Sequence, residues 1–354
     1  MGVTSQCNMN CTFCYSQATR KKDELDVDRW TSYIERNASS ICAINYGTGE
    51  NTLCPSWYRI ISYVREHFPH IRQSLTTNGS LAEAIKVDDQ ATAIDTCIDE
   101  IDVSLDFADL KLHDRMRGFS GAYDLALHTL GYCKAYGKRA TIVALGYEKT
   151  LALANLAPLF ELAARFSAFI RINLYRHVND KSTLYYPSIH TVLKALDWII
   201  RHHTVVSISE PVFKSMVGID AEGTDTEPLS MRILPNGDIT PSTYLITKEW
   251  VAGNICNHIP LAELILTAPF RRFHNSALPV ECSGCHYVQT CRGGALDRRF
   301  LTWGCSEKPD IYCSRGLEDY FRQAGNVKPV FLHQKTVHSD YLPTMIFSPY
   351  RRMS

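Results

Sequence analysis

The amino-acid sequence predicts an α/β protein: a parallel sheet built from strand–helix–strand units, then a smaller C-terminal domain with a β-hairpin and short helices. Three observations carry this expectation. Short β-branched runs alternate with helix-like stretches as far as about residue 210. The texture then changes to turn-rich sequence around "LPNGDITPSTY". Thirteen cysteines, a high count, gather mainly in two clusters near opposite ends of the chain.

The elements follow in order. "MGVTS" (1–5) is the expected first strand. Further strands are expected at "ICAINYG" (41–47), "RQSLTTNG" (72–79), "EIDVSLD" (100–106), "RATIVALG" (139–146), "AFIRINLY" (168–175) and "TVVSISE" (204–210). Helices fill the gaps. "DVDRWTSYIERNA" opens on acidic residues, which suit the positive end of a helix dipole. "PSWYRIISYVREHF" places proline in its first turn, with apolar residues at helical spacing behind it. "GAYDLALHTLGYCKAYG" closes on glycine, and "LALANLAPLFELAARF" is a further helical stretch. Past residue 215, "MRILPNGDITPSTYL" reads as a hairpin turning at Pro235, Asn236 and Gly237. "LAELILTAPFRRF" is a short helical piece, and the tail "NVKPVFLHQKTVHSDYLPTMIFSPYRRMS" is weakly patterned. The expected domains are therefore 1–212, 213–325 and a tail at 326–354.

Composition excludes some functions. The chain has 354 residues with 37 basic and 37 acidic side chains, so its formal net charge is zero. That disfavours a nucleic-acid partner, which needs a basic surface. No apolar run is long enough to span a membrane and the polar N-terminus has no signal peptide, so no membrane partner is expected and the cytoplasm is the expected location. An odd number of cysteines leaves at least one unpaired, and clustered thiols in a reducing compartment point to metal or iron–sulfur ligation.

The loop "CNMNCTFCY" (7–15) places Cys7, Cys11 and Cys14 just after the first expected strand, where α/β proteins bind ligands. A closed structural zinc site uses four protein ligands. Three thiolates hold three irons of a cubane 4Fe–4S cluster and leave the fourth iron free. A partial zinc site is the competing reading.

This spacing, with an aromatic residue (Tyr15) after the third cysteine, resembles the radical S-adenosylmethionine (SAM) enzymes. Their other elements appear in order. "YGTGE" resembles the family's Gly-Gly-Glu element at Gly47, Thr48, Gly49 and Glu50, whose backbone edge meets the amino group of SAM; Thr48 departs from the commonest form. "TTNG" contains Asn78, "SLD" contains Ser104 and Asp106, "HDRMRG" follows at 113–118, and Arg171 and Asn173 suit the SAM carboxylate. The resemblance covers roughly residues 1–210 and implies a partial (β/α)6 barrel.

The second cluster, "CSGCHYVQTCRGGA", holds Cys282, Cys285 and Cys291, with Cys305 and Cys313 downstream. It resembles the SPASM/twitch extensions of radical SAM enzymes, which hold auxiliary 4Fe–4S clusters. Ala295 and Ser242 stand where that pattern often has cysteine. The likeness therefore implies one auxiliary cluster, on Cys282, Cys285, Cys291 and Cys313, with Cys305 as the rival fourth ligand. A zinc ribbon is the competing reading. The scattered cysteines read as buried apolar residues. Cys54 is the exception: it follows "GTGEN" closely and is a candidate hydrogen donor at a barrel mouth.

The resemblance implies two 4Fe–4S clusters, SAM, and a flavodoxin- or ferredoxin-type electron donor. It also implies reductive cleavage of SAM to a 5′-deoxyadenosyl radical, which takes hydrogen from an unactivated C–H bond. "CRGGALDRRFLTWGCSEKPDIYC" looks like radical SAM maturases that cross-link or epimerise ribosomal peptides, so a peptide substrate is favoured. The alternatives are an aminosugar or aminocyclitol epimerase or dehydrogenase of antibiotic biosynthesis and, from another class, a non-catalytic iron–sulfur or zinc scaffold.

Overall fold

The computed structural model describes residues 1–16, 23–178, 185–217, 230–313, 328–339 and 343–351. Its first part alternates strands β1 (Ala43–Tyr46), β2 (Arg72–Thr77), β3 (Glu100–Ser104), β4 (Arg139–Gly146), β5 (Phe169–Leu174) and β6 (His203–Ile208) with helices. The helices are α1 (Val27–Asn37), α2 (Pro55–His67), α3 (Leu81–Ala84), α4 (Asp88–Cys97), α5 (Leu110–Arg117), α6 (Ala122–Ala135), α7 (Glu148–Leu151), α8 (Leu153–Phe166), α9 (Ile189–His202) and α10 (Pro211–Met216). β1 to β5 pair in parallel and in chain order.

Local chemistry explains these elements. Asp26 caps α1 by accepting from Arg29 N at 3.0 Å, and Trp30, Tyr33 and Ile34 form its buried stripe. Pro55 starts α2 where no intrahelical N–H is needed, and Trp57, Ile60, Ile61 and Val64 bury that helix on the sheet. Asp109 caps α5, which ends on Gly118 in the left-handed conformation.

The sheet departs from expectation at both chain ends. "MGVTS" forms no strand. Met1 N donates to Asn45 O at 2.6 Å and Gly47 N to Met1 O at 3.1 Å, but Gly2 N turns to Ile233 O at 2.8 Å. The segment thus bridges the edge of β1 to the C-terminal hairpin rather than extending the ladder. The weakly patterned tail, by contrast, returns to the sheet. Its strand, residues Met345–Arg351, lies antiparallel between β5 and β6, with Met345 opposite both Ile172 and Ile208. β6 therefore has no direct ladder to β5. A register shift between Ser348 and Arg351 spans Pro349, which has no N–H to donate. The boundary expected between residues 325 and 326 lies outside the described residues.

The hairpin forms where expected: β7 (Arg232–Ile233) pairs with β8 (Asp238–Thr240), and β9 (Gly253–Asn254) completes a three-stranded sheet. Gly237 turns it at φ +85°, a conformation that favours glycine. The tail strand is accordingly β10. Short helices α11 (Leu261–Leu264), α12 (Ala268–His274), α13 (Val288–Cys291) and α14 (Leu296–Trp303) follow the hairpin.

A buried ion network joins the two parts. Arg298 on α14 donates to Asp310 (Nε, 2.9 Å; Nη2, 2.6 Å) and to Glu210 (Nη1, 3.1 Å; Nη2, 3.0 Å). Arg176, just after β5, pairs with the same Glu210 at 2.8 Å and with Asp297 at 3.2 Å. No described helix is long and apolar enough to cross a membrane.

Candidate active site

The inner faces of β1 to β5, from Cys42 and Arg72 at their amino ends to Gly47 and Leu174 at their carboxyl ends, enclose with the C-terminal hairpin and the 335–339 segment a cavity of roughly 520 Å³, within the range of small-molecule sites. Gly47, Thr48, Ser104, Asp106, Arg171 and Tyr15 all line it. Gly49, Glu50 and Asn78 stand behind this surface. Gly49 has φ +62°, and a Cβ there would meet Gln6 O at 2.4 Å. This contact is the physical reason for glycine: it lets the "GTGE" turn touch the start of the cysteine loop. Glu50 N donates to Gln6 O at 2.7 Å across the same junction.

The Glu50 carboxylate is fully buried. It accepts from Thr52 Oγ1 (2.7 Å), Thr77 Oγ1 (2.9 Å) and Asn78 N (2.7 Å). Burial pushes its carboxyl above the ordinary range, against these hydrogen bonds. Its side chain thus locks the end of β1 to the end of β2. Asn78 Nδ2 reaches Cys7 Sγ at 3.6 Å and donates to Asn8 Oδ1 at 2.9 Å, so the "TTNG" turn positions the cysteine loop.

"SLD" and "HDRMRG" meet in the same way. Arg117 Nη2 pairs with Asp106 Oδ2 at 2.7 Å, and Leu145 N donates to Asp106 Oδ1 at 2.9 Å. Asp106 N donates to His113 Nδ1 at 3.2 Å, which fixes that nitrogen as an acceptor. Burial lowers His113 to about 2, so the imidazole is neutral. Asn10 N donates to Arg117 O at 3.2 Å, and a Cβ at Gly118 would collide with Asn10 O at 2.7 Å. The "RG" pair therefore supports the loop that carries Cys11. Burial pushes the Cys11 thiol up, and Arg117 opposes this.

Arg171 is 4% exposed and donates through Nη1 to Asp102 Oδ2 at 2.9 Å. The tail supplies His338, whose Nδ1 lies 3.0 Å from the same Asp102 oxygen. Burial raises the Asp102 carboxyl, but Arg171 and His338 outweigh it and hold it at about 2. Arg171 Nε stays buried without a partner among the described residues. Cys54 does not line the cavity. It is half-buried before α2, and burial pushes its thiol up.

In the C-terminal part, the Cys282 thiol lies in the field of Cys313 and Cys285, and Cys291 in that of Cys313 and Cys282. Cys305 is not among these neighbours; it interacts with Glu307. Gly294 has φ +91°, and a Cβ there would strike Asp310 at 2.2 Å, so glycine lets the Cys291 turn pack on the segment leading to Cys313. Ala295 N donates to Asp310 Oδ2 at 2.8 Å, and Ser242 accepts from Tyr244 N at 3.2 Å. Among the described residues, no three Cys, His, Asp or Glu side chains close around a single ion. Four thiolates, Cys282, Cys285, Cys291 and Cys313, are a donor set that suits zinc and a cubane cluster alike.

Sequence reasoning did not single out Arg117, Arg232, Tyr244 or His338. "HDRMRG" offered a signal for Arg117. The others come from segments distant in sequence, where no motif marks them.

The radical SAM superfamily model matches residues 1–151. Mycofactocin maturase MftC of Mycobacterium tuberculosis is 24% identical over 333 residues, 89% of this chain and 82% of the relative. The crystal structure of Streptococcus suis SuiB bound to precursor peptide SuiA superposes with a TM-score of 0.66 at 17% identity, over 88% of this chain and 74% of that one. The structure of anSMEcpe with bound AdoMet and Cp18Cys peptide gives 0.70 at 16%, over 91% and 94%.

Proposed function

We propose that this chain, whose residues 1–151 match the radical SAM superfamily model, is a radical SAM enzyme of peptide natural-product maturation, cross-linking or epimerising a ribosomal precursor peptide. When bound, SAM and a reduced 4Fe–4S cluster supply a radical able to take hydrogen from an unactivated C–H bond. The observation that carries the reading is the cavity at the strand ends. Gly47, Thr48, Ser104, Asp106 and Arg171 line it together, and its walls are hydrogen-bonded to the Cys7–Cys11–Cys14 loop.

This chain's residues hold and enclose; none is assigned a proton transfer. Cys7, Cys11 and Cys14 hold the SAM-binding cluster. The Gly47–Glu50 edge, stiffened by the buried Glu50, takes the methionine end of SAM. Ser104 and the Asp106–Arg117 pair shape the wall beside it. Arg171, with Nε still available, adds positive charge. The barrel and hairpin exclude water from the reacting centre.

Cys282, Cys285, Cys291 and Cys313 hold a second 4Fe–4S cluster, a reading supported by their mutual proximity and by the tight Gly294–Asp310 packing. One-electron chemistry calls for a flavodoxin- or ferredoxin-type donor. Thirteen cysteines, none of them in a disulfide, suit a reducing compartment such as the cytoplasm. MftC, a mycofactocin maturase, and SuiB, seen with a precursor peptide, favour a peptide over an aminosugar.

The test is a mass measurement. The reconstituted protein is incubated with short peptides encoded beside its gene, with and without SAM and reductant. A SAM-dependent mass or stereochemical change, with 5′-deoxyadenosine formed in step, is expected. Turnover of an aminosugar with every such peptide left untouched would replace the peptide reading.

A further inference from the structure

Four guanidiniums lining the cavity already meet carboxylates: Arg72 with Glu100, Arg117 with Asp106, Arg171 with Asp102 and Arg176 with Glu210. A fifth, Arg232 of β7, does not. It is 4% exposed and lines the same cavity, yet no Asp or Glu among the described residues bears on it. Its Nη2 donates to Thr48 Oγ1 at 2.9 Å and reaches Ser16 Oγ at 3.4 Å, and Nη1 donates to the Thr243 carbonyl. Nε is buried and has no partner among the described residues. The guanidinium lies 4.8 Å over the Tyr15 ring. A buried cation with no carboxylate partner is costly, and a carboxylate entering the cavity relieves that cost.

We propose that Arg232 binds the α-carboxylate of SAM, so that the hairpin of the C-terminal part completes the SAM site. This rests on the radical SAM reading above. Position selects the ligand. Arg232 is anchored on Thr48, within the edge assigned to the methionine end of SAM, and on Tyr15, next to Cys14. Arg171, expected from the sequence to take the carboxylate, already has Asp102. The departure at Thr48 gains a purpose. Its hydroxyl donates to Gly47 O at 2.7 Å and so offers a lone pair to Arg232, which glycine has no atom to do.

Equilibrium binding to the anaerobically reconstituted full chain tests this, with SAM and with decarboxylated SAM, which lacks only the carboxylate. Arg232→Gln is expected to weaken SAM binding roughly tenfold or more, as when a charge-assisted pair is truncated. Decarboxylated SAM should stay within about threefold of wild type. Thr48→Ala keeps the guanidinium but loses its anchor, and should fall between wild type and Arg232→Gln with SAM. Equal losses with both ligands would assign Arg232 to folding or to the charge of the cluster. Unchanged affinity for SAM would assign the carboxylate to another group. Either result overturns the proposal. A wild-type protein that binds neither ligand would instead remove the radical SAM reading itself.

Discussion

The Arg298 network gives the sharpest stability prediction. Arg298→Met fills similar space but removes four charge-assisted hydrogen bonds, at 2.6 to 3.1 Å, and leaves Glu210 and Asp310 buried. Two guanidiniums face three carboxylates in the native network, counting Arg176 and Asp297. The variant faces three carboxylates with one. Removing one partner of a buried pair costs about 3–5 kcal/mol. For a chain of this size that lowers the melting temperature by about 4–7 °C. The pH dependence adds a second signature. Burial raises the Glu210 carboxyl, but Arg176 and Arg298 outweigh it and hold it below the ordinary value of 4.5. Its stabilisation is therefore complete above pH 4.5 and is lost as pH falls further, through the folded value. The variant gives up much of that contribution, so the gap between the two proteins is widest near neutrality and narrows below pH 4.5. Thermal unfolding across pH 3.5–8 measures both. A loss under about 1 kcal/mol at pH 7, or a gap independent of pH, would refute the claim that this network fastens the C-terminal part to the barrel.

Other substitutions probe other parts. Gly49→Ala sets a Cβ 2.4 Å from Gln6 O at φ +62°, so it should cost more than about 1 kcal/mol and weaken SAM binding; wild-type affinity would show that the turn relaxes freely. Cys313→Ser should reduce iron in the reconstituted protein from about eight to about four per chain, while Cys305→Ser keeps about eight; the reverse would exchange the fourth ligand. Asp102, held at about 2 against an ordinary 3.8, contributes stability above pH 3.8 that disappears as pH falls toward 2. Asp102→Asn should therefore destabilise at pH 7 and flatten the acid limb of a urea-unfolding series, and an unchanged limb would dissociate Asp102 from Arg171 and His338.

The parallel strands were legible because β-branched runs lie between strongly periodic helices, as at β3, where Glu100, Ile101, Asp102 and Val103 are all buried. The helix starts were legible in Asp26 and Pro55, whose cap chemistry is local. β10 was not. Its segment carries Pro349 and pairs with strands far upstream, a choice made by the open space between β5 and β6 rather than by its own pattern. "MGVTS" misled because Val3 and Thr4 suit a strand by residue type, whereas only Met1 bonds along the β1 edge and Gly2 already turns to Ile233 in the hairpin. In the site, motif spacing located the cysteine loop and the strand ends. It was silent on Arg232, Tyr244 and His338, which reach the cavity only through long-range packing. Nor did it show that Glu50 and Asp106 are occupied in cross-linking the motifs to one another.

The central claim is that the Cys7–Cys11–Cys14 loop and the cavity beside it form one SAM-cleaving centre. The most direct measurement is 5′-deoxyadenosine production by the reconstituted protein with SAM and dithionite, compared with a variant carrying Ala at all three positions. Product from the wild type and none from the variant is the predicted result. Equal product from both, or a well-loaded wild-type protein that neither forms product nor binds SAM, would contradict it.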